Sequence, residues 1–293
     1  MKKEKENSER DFLAEIEALI AEKYKDNPEE LKKVKRQTKK VSVKKVLSKP
    51  TKSKEEIKEA SDRLFEELTK SSPDISFVHQ LIMEYGADVN MTNDEKGDAN
   101  ALFVVSASNN TELIEILIGH GADINFQNKF GVTPLQTAVV NENVEAVRTL
   151  LKMGAIPDLT NHSGYTALLL ASEGDEVEIV KMLLEAGANP NITENDEDGT
   201  ALHRVVSKQS QANVEIAKLL IQGGADLNYR NTEGNTALHW ASGNNRLTIA
   251  KILVEAGAGV NVRNEDGLTP LVWAMIRGNQ KVAKFLASKG GEL

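Results

Sequence analysis

A five-residue tract, Gly-Ala-Asp-hydrophobic-Asn, recurs along this chain and constrains its fold more than any other feature. It stands as Gly86 to Asn90, Gly121 to Asn125 and Gly224 to Asn228. Looser copies begin at Gly154, Gly187 and Gly257, and a truncated one at Gly290. Successive glycines lie 35, 33, 33, 37, 33 and 33 residues apart. A period of this length marks a stack of like units, and the two longer intervals are insertions that surface loops absorb.

Each glycine ends an apolar stretch of helical spacing. Val177, Ile179, Val180, Leu183 and Leu184 precede Gly187, and Leu247, Ile249, Ala250, Leu253 and Val254 precede Gly257. Apolar residues three and four apart share one helix face, and a glycine after them lets the chain turn in the left-handed region. A second signature follows the closing Asn: Gly131-Val132-Thr133-Pro134-Leu135, Gly164-Tyr165-Thr166-Ala167-Leu168, Gly234 to His239, and Gly267 to Leu271. Pro134 and Pro270 suit a first helical turn, where a missing N–H costs nothing. Each unit therefore reads as turn, short helix, tight loop, second helix, glycine stop and extended loop. One such layer alone leaves both faces wet, so the units must stack to be stable.

Two signatures held in phase through several copies resemble the ankyrin-repeat family, over roughly residues 60–293 and about seven repeats. The resemblance implies an all-α solenoid of helix-turn-helix units with β-hairpin-like loops. The second repeat departs from the pattern at Gly97 to Leu102, and the fifth is one residue short at Asp198 to His203, with an enlarged loop at Lys208 to Ala212. The first repeat is a degenerate cap, with Leu64, Phe65 and Leu68 in one helix and Phe77, Val78, Leu81 and Ile82 in the next. The last repeat is a second cap, offering Gln280, Lys281, Lys284 and Ala287 to solvent. The chain divides in this reading into a charged arm over 1–54 and a repeat domain over 55–293.

Chemistry of other kinds finds little footing. The chain has no cysteine, which removes disulfides, thiolate zinc sites and cysteine nucleophiles. Phosphate-loop, His-Glu-x-x-His and Gly-x-Ser-x-Gly motifs are absent. We expect no enzyme, cofactor or metal. By the resemblance, His203 and His239 bond the loop backbone of neighbouring repeats. His79 falls on the apolar phase of its helix and is expected to be partly buried, while His120 precedes a glycine stop, where a cation suits a helix end. The stretch Glu194 to Gly199 begins like a calcium loop, but its twelfth place is Val205 where a bidentate Glu is needed, so it reads as an inter-repeat loop.

The amino terminus is charged and lacks the apolar core of a secretory signal, and no run is long enough to span a membrane. A soluble, cytoplasmic monomer is expected, with nuclear location or export as a delivered effector left open. Charge is unevenly spread: Leu31 to Lys54 carries eleven basic residues and no acidic one, in a chain of net charge −8. Ser8 and Asp11 open a possible helix with Phe12, Leu13, Ile16, Leu19 and Ile20 on one side, and Lys32 to Arg36 matches a short nuclear-import pattern.

Members of the resembled family grip partners with loop tips and the exposed face of the first helices. On matching positions stand Lys129, Phe130 and Val132; His162 and Tyr165; Arg230, Glu233 and Asn235; and Arg263, Asp266 and Leu268. The first-helix faces add Val140, Asn141, Glu173, Asn244, Ile276 and Arg277. Phe130, Tyr165 and Leu268 are large apolar groups on tips and resemble interface anchors, whereas Trp240 and Trp273 are expected to pack between repeats. The expected function is protein–protein interaction, as scaffold, adaptor or inhibitor, through an acidic concave face that suits a partner with a basic segment. Three alternatives stand beside it: residues 31–54 hold nucleic acid or an anionic membrane, with the repeats as spacer; the arm folds onto the repeats and blocks them; or the protein is a bacterial effector acting on host proteins.

Overall fold

The computed structural model describes residues 52–94, 97–194, 199–208, 210 and 212–293. The chain divides into two units, Met1–Ser53 and Lys54–Leu293. The helix read after Ser8 and nearly all of the basic segment lie outside the described residues.

Within Lys54–Leu293 the helices form seven pairs: α1 (Lys54–Leu68) with α2 (Ile75–Met83), α3 (Ala101–Ser106) with α4 (Thr111–Gly119), α5 (Pro134–Val140) with α6 (Val144–Lys152), α7 (Ala167–Glu173) with α8 (Val177–Glu185), α9 (Ala201–Ser207) with α10 (Ala212–Gln222), α11 (Ala237–Gly243) with α12 (Leu247–Glu255), and α13 (Pro270–Ile276) with α14 (Gln280–Ser288). First helices pack on first helices along one row, and second helices pack on second helices from α4 onward along another. Among the described residues there is no strand, only an isolated bridge between Asn93 and Ala99. The loops are nonetheless hairpin-like. The amides of Asn128, Asn161, Asn231 and Asn264 donate across their tips to the carbonyls of Val132, Tyr165, Asn235 and Leu268 at 3.0–3.1 Å.

The signature Thr caps the first helices from α5 on, and Asn100 takes its place in α3. Thr133, Thr166 and Thr269 accept from the backbone N–H three residues on, which satisfies one of the orphan donors of the first turn. In α9 and α11 the residue at that third position is His203 or His239, whose Nδ1 accepts the backbone N–H of Thr200 at 3.3 Å or Thr236 at 3.1 Å. With Nδ1 accepting, Nε2 carries the proton. It donates to the carbonyl of Asn235 at 3.2 Å and of Leu268 at 3.0 Å, each in the following tip. Gln136 does the same work in α5, its Oε1 accepting from Thr133 and its Nε2 donating to the carbonyls of Leu159 and Tyr165.

The Gly-Ala-Asp-x-Asn tract is a staple between layers. Asn90 accepts the amide of Asp123 through Oδ1 and donates through Nδ2 to the Gly121 carbonyl, both at 2.8 Å. Asn191 repeats both bonds with Asp226 and Gly224, and Asn261 with Glu292 and Gly290. The closing Asn of one repeat therefore holds the turn of the next.

Leu, Ile, Val and Ala fill a continuous core from Ala60 to Leu286. Leu64, Phe65, Leu68, Val78 and Leu81 are buried in the first pair, while Phe77 and Ile82 are half-buried. In the last pair Gln280, Lys281, Lys284 and Ala287 are exposed and Val282 and Leu286 buried, as a terminal layer requires. His79 corrects its expectation: it is exposed, because its place in the second helix faces solvent in every repeat, where Glu115, Arg148, Lys181, Lys218 and Lys251 are exposed too, and its ring meets His120 edge-on at 5.6 Å.

Candidate partner-binding face

The tips are shaped by an asparagine three residues before each glycine. Asn128 Oδ1 accepts the amides of Phe130 and Val132, Asn161 those of Ser163 and Tyr165, and Asn231 those of Glu233 and Asn235. Asn264 accepts from Leu268. Such side-chain turns let a short loop reverse without a full strand ladder. These asparagines are absent from the sequence reading above, although their recurrence in phase with the glycines was the available signal.

Successive tips also join through backbone: the His162 amide donates to the Phe130 carbonyl, and Glu265 to Glu233, both at 3.0 Å. Gly131 (φ 74°) sits at such a junction, where a β-carbon would lie 2.9 Å from the His162 nitrogen. Phe130 is 57% exposed. Its ring edge lies over Gly97, and the Lys129 ammonium stands 5.4 Å from its centre.

The other anticipated tip residues divide three ways. Lys129, His162, Arg230, Glu233, Arg263 and Asp266 are exposed, as are Ile276 and Arg277 on α13. Val132, Tyr165 and Leu268 are half-buried, and Tyr165 packs against the core. Two of the cations are already engaged: Arg230 pairs with Glu265 at 2.8 Å, and Arg263 donates to the carbonyls of Gly267 and Leu293. Asn235 is a correction. It is 0% exposed, its Nδ2 donating to Glu233 and its Oδ1 accepting from Asn264 Nδ2, so it braces the tip stack from inside and presents nothing to a partner.

Beside the tips, the first helices present two registers. Four residues after each signature Thr stand Thr137, Leu170, Arg204, Trp240 and Trp273; seven after it stand Val140, Glu173, Ser207, Gly243 and Ile276. Two contacts show that the second register of one repeat meets the first of the next: Glu173 lies 3.6 Å from Arg204, and the Trp273 indole nitrogen lies 2.8 Å from where a Gly243 β-carbon would be. Trp273 also meets the His239 ring edge-on at 5.9 Å. Its indole thus lies on the neighbouring repeat, as the sequence reading expects of the tryptophans. Val140 and Ile276 are 62% and 64% exposed.

Glu194 occupies the tip-asparagine place in the fifth repeat, seven residues after Gly187. A carboxylate cannot donate, and this one is buried, with Arg204 as its ion-pair partner. Arg204 thus stands between Glu194 and Glu173, and Lys208 donates to the Glu173 carbonyl. The calcium-loop reading fails here for a physical reason: its first ligand is already bound to a guanidinium. Residues 195–198 lie outside the described ones. Among the described residues no group of three His, Asp or Glu side chains is placed to hold a metal ion, and no helix is long and apolar enough to cross a membrane.

Two rows of short helices, stapled layer to layer and edged by hairpin tips, define a helical-repeat solenoid with an exposed first-helix face. The sequence matches the family described as ankyrin repeats (3 copies) over residues 69–161, 102–194, 154–231 and 202–293, and the chain belongs to the ankyrin-repeat family. Repeats of this family generally serve as non-catalytic modules for protein–protein interaction. Among solved structures, one chain of the complex of the Bd0816 predatory endopeptidase from Bdellovibrio bacteriovorus with the immunity protein Bd3460 is similar, at 29% identity and a TM-score of 0.57. The match covers 65% of this chain and 98% of that one. No curated protein matches. In all, 592 solved chains match, so the fold alone does not select a partner.

Proposed function

We propose that this chain is a binding module, acting as scaffold, adaptor or inhibitor, that grips a protein partner with its tips and first-helix face. The observation that carries the reading is the exposure of Phe130, Val140 and Ile276 on that face. Large apolar side chains on one surface, outside the core, cost solvation free energy until a partner covers them. The similarity to a chain from a solved protein–protein complex points the same way.

The partner offers a basic segment. Glu233, Glu265 and Asp266 are exposed on the last two tips, with Arg230 pairing Glu265. Charge of this kind steers and orients an incoming cation-rich chain more than it holds it.

Affinity capture with the full chain, followed by cross-linking, identifies the partner and the face it covers. Calorimetry with the Phe130→Ala/Val140→Ser double variant is expected to show about tenfold or greater weakening, since each removes an apolar anchor. Unchanged affinity, with cross-links confined to the second helices, would refute the reading.

A further inference from the structure

Charge is unevenly placed on the sixth and seventh repeats. Residues 237–254 and 267–291 carry six Lys and Arg residues, Arg246, Lys251, Arg277, Lys281, Lys284 and Lys289, and no carboxylate, in a chain of net charge −8. Among the described residues none of the six forms an ion pair. The acidic residues stand elsewhere: Glu233, Glu265 and Asp266 on the tips, Glu255 at the end of α12 and Glu292 beyond α14. Arg246 and Arg277 lie at the other end of the first helices from the tips, in the tight loops that follow α11 and α13. Asn279 ties the second loop to the end of α11, its Nδ2 donating to the carbonyls of Ser242 and Gly243 at 2.8 Å, and the Trp273 indole lies over the same Gly243. Arg277 is exposed. Arg246 is half-exposed, yet its Nε and Nη2 are buried with no hydrogen-bond partner. A guanidinium that has shed water without gaining an anion is a standing electrostatic cost, and burial accordingly pulls its pKa down with no carboxylate to hold the charge.

We infer that the base of the sixth and seventh repeats seats an acidic segment of a partner protein, which sets a carboxylate against Arg246 and Arg277 and an apolar side chain across Trp240, Trp273 and Ile276. The inference rests on the binding-module reading and adds a second contact to it. The basic segment proposed above meets the tips, and this seat lies about 10 Å away, at the far end of a first helix that rises about 1.5 Å per residue. Charge complementarity selects the occupant: a carboxylate supplies the counter-ion that the two guanidinium groups lack, whereas a cation meets like charge. The apolar half of the seat is open, since Ile276 is 64% exposed and both indoles are half-buried. A nucleic acid is the poorer fit, because its continuous phosphates would also meet the carboxylates of the tips and the apolar surface between. A protein segment instead places one carboxylate beside one apolar group.

The two tryptophans of the chain both lie in this seat, so intrinsic fluorescence reports its occupation directly. The experiment pans a random peptide library displayed on phage against the full chain, then titrates synthetic enriched peptides lacking Trp. Enriched peptides are expected to carry an Asp or Glu at a fixed spacing from an aliphatic or aromatic residue, and to change the Trp emission on saturation. Arg246→Gln and Arg277→Gln are each expected to weaken them about tenfold, and Ile276→Ser about fivefold. None of the three should lower the thermal midpoint, because Arg277 and Ile276 are exposed and the Arg246 side chain has no ion pair to lose.

Enrichment of peptides without an acidic residue, no enrichment at all, or binding without a change in emission overturns the inference. So does unchanged affinity in the Arg246→Gln and Arg277→Gln variants. Two controls name the rival occupants. A labelled oligonucleotide that binds more tightly than the peptides and is weakened by the same variants assigns the seat to nucleic acid, and a dimer seen in sedimentation of the wild type but not of Arg277→Gln assigns it to a second copy; either result overturns the inference. If peptides lose affinity with Phe130→Ala/Val140→Ser but not with the arginine variants, the acidic-segment inference fails and the binding-module reading stands. If none of these variants matters, both fail.

Discussion

His203 is buried, and burial drives its pKa from 6.5 to about 4, against the opposing pull of the Asn235 carbonyl. His239 is lowered too, chiefly by burial, with the Leu268 carbonyl opposing. Both rings are thus neutral in the folded protein while the unfolded chain protonates them near pH 6.5. The unfolded state then binds more protons below that pH, so the stability these residues contribute is complete above about pH 6.5 and is lost as pH falls towards 4. For His203 the loss between pH 6.5 and 5 is about 2 kcal/mol, at 1.36 kcal/mol per unit. Urea midpoints at those two pH values check it. His203→Gln should flatten the profile while keeping stability at pH 7.5, because Gln136 already makes the same cap and inter-tip bonds without titrating. Asn235→Ala belongs to the same scale. It strands the buried Asn264 amide and should cost about 1–3 kcal/mol in chemical denaturation, with no direct effect on a partner.

At the scale of the element, first helices of six or seven residues are far too short to persist alone. They exist because their caps and neighbours hold them. Thr133→Ala removes the α5 cap and breaks its reciprocal bond with Gln136, and should lower stability by about 1 kcal/mol, read as a shift in the thermal midpoint. Element order and phase were legible in the residues: Thr starts, glycine stops and apolar spacing mark every pair from the third repeat on, while the second opens on Asn100. The tip asparagines were legible in principle, since they recur with the same period. The Glu194–Arg204 pair was not, because the two residues lie on different elements of an irregular repeat and only the packed loop brings them together. The exposure of His79 was legible in principle as well, since its place in the second helix is filled by Glu115, Arg148, Lys181, Lys218 and Lys251 in the later repeats, all of them exposed.

For the whole molecule, stability is a sum over layers and the contacts between neighbours. Removing side-chain volume at the centre should therefore cost far more than at the exposed edge. Leu220→Ala, fully buried in α10, should cost about 2–5 kcal/mol, against about 0.5 kcal/mol or less for Ile276→Ser. Urea unfolding of the two variants side by side tests this, and comparable losses would mean that the layers do not share one core. What the sequence by itself determined was the repeat, its period and the capped helices, since these follow from local conformational preference repeated in register. The tertiary structure alone decided which polar residues turn inward, Asn235 among them, which charges pair, and which apolar side chains are left exposed. Those outcomes depend on the residue contributed by the next layer some 33 positions away, and burial is a property of that pair rather than of either residue.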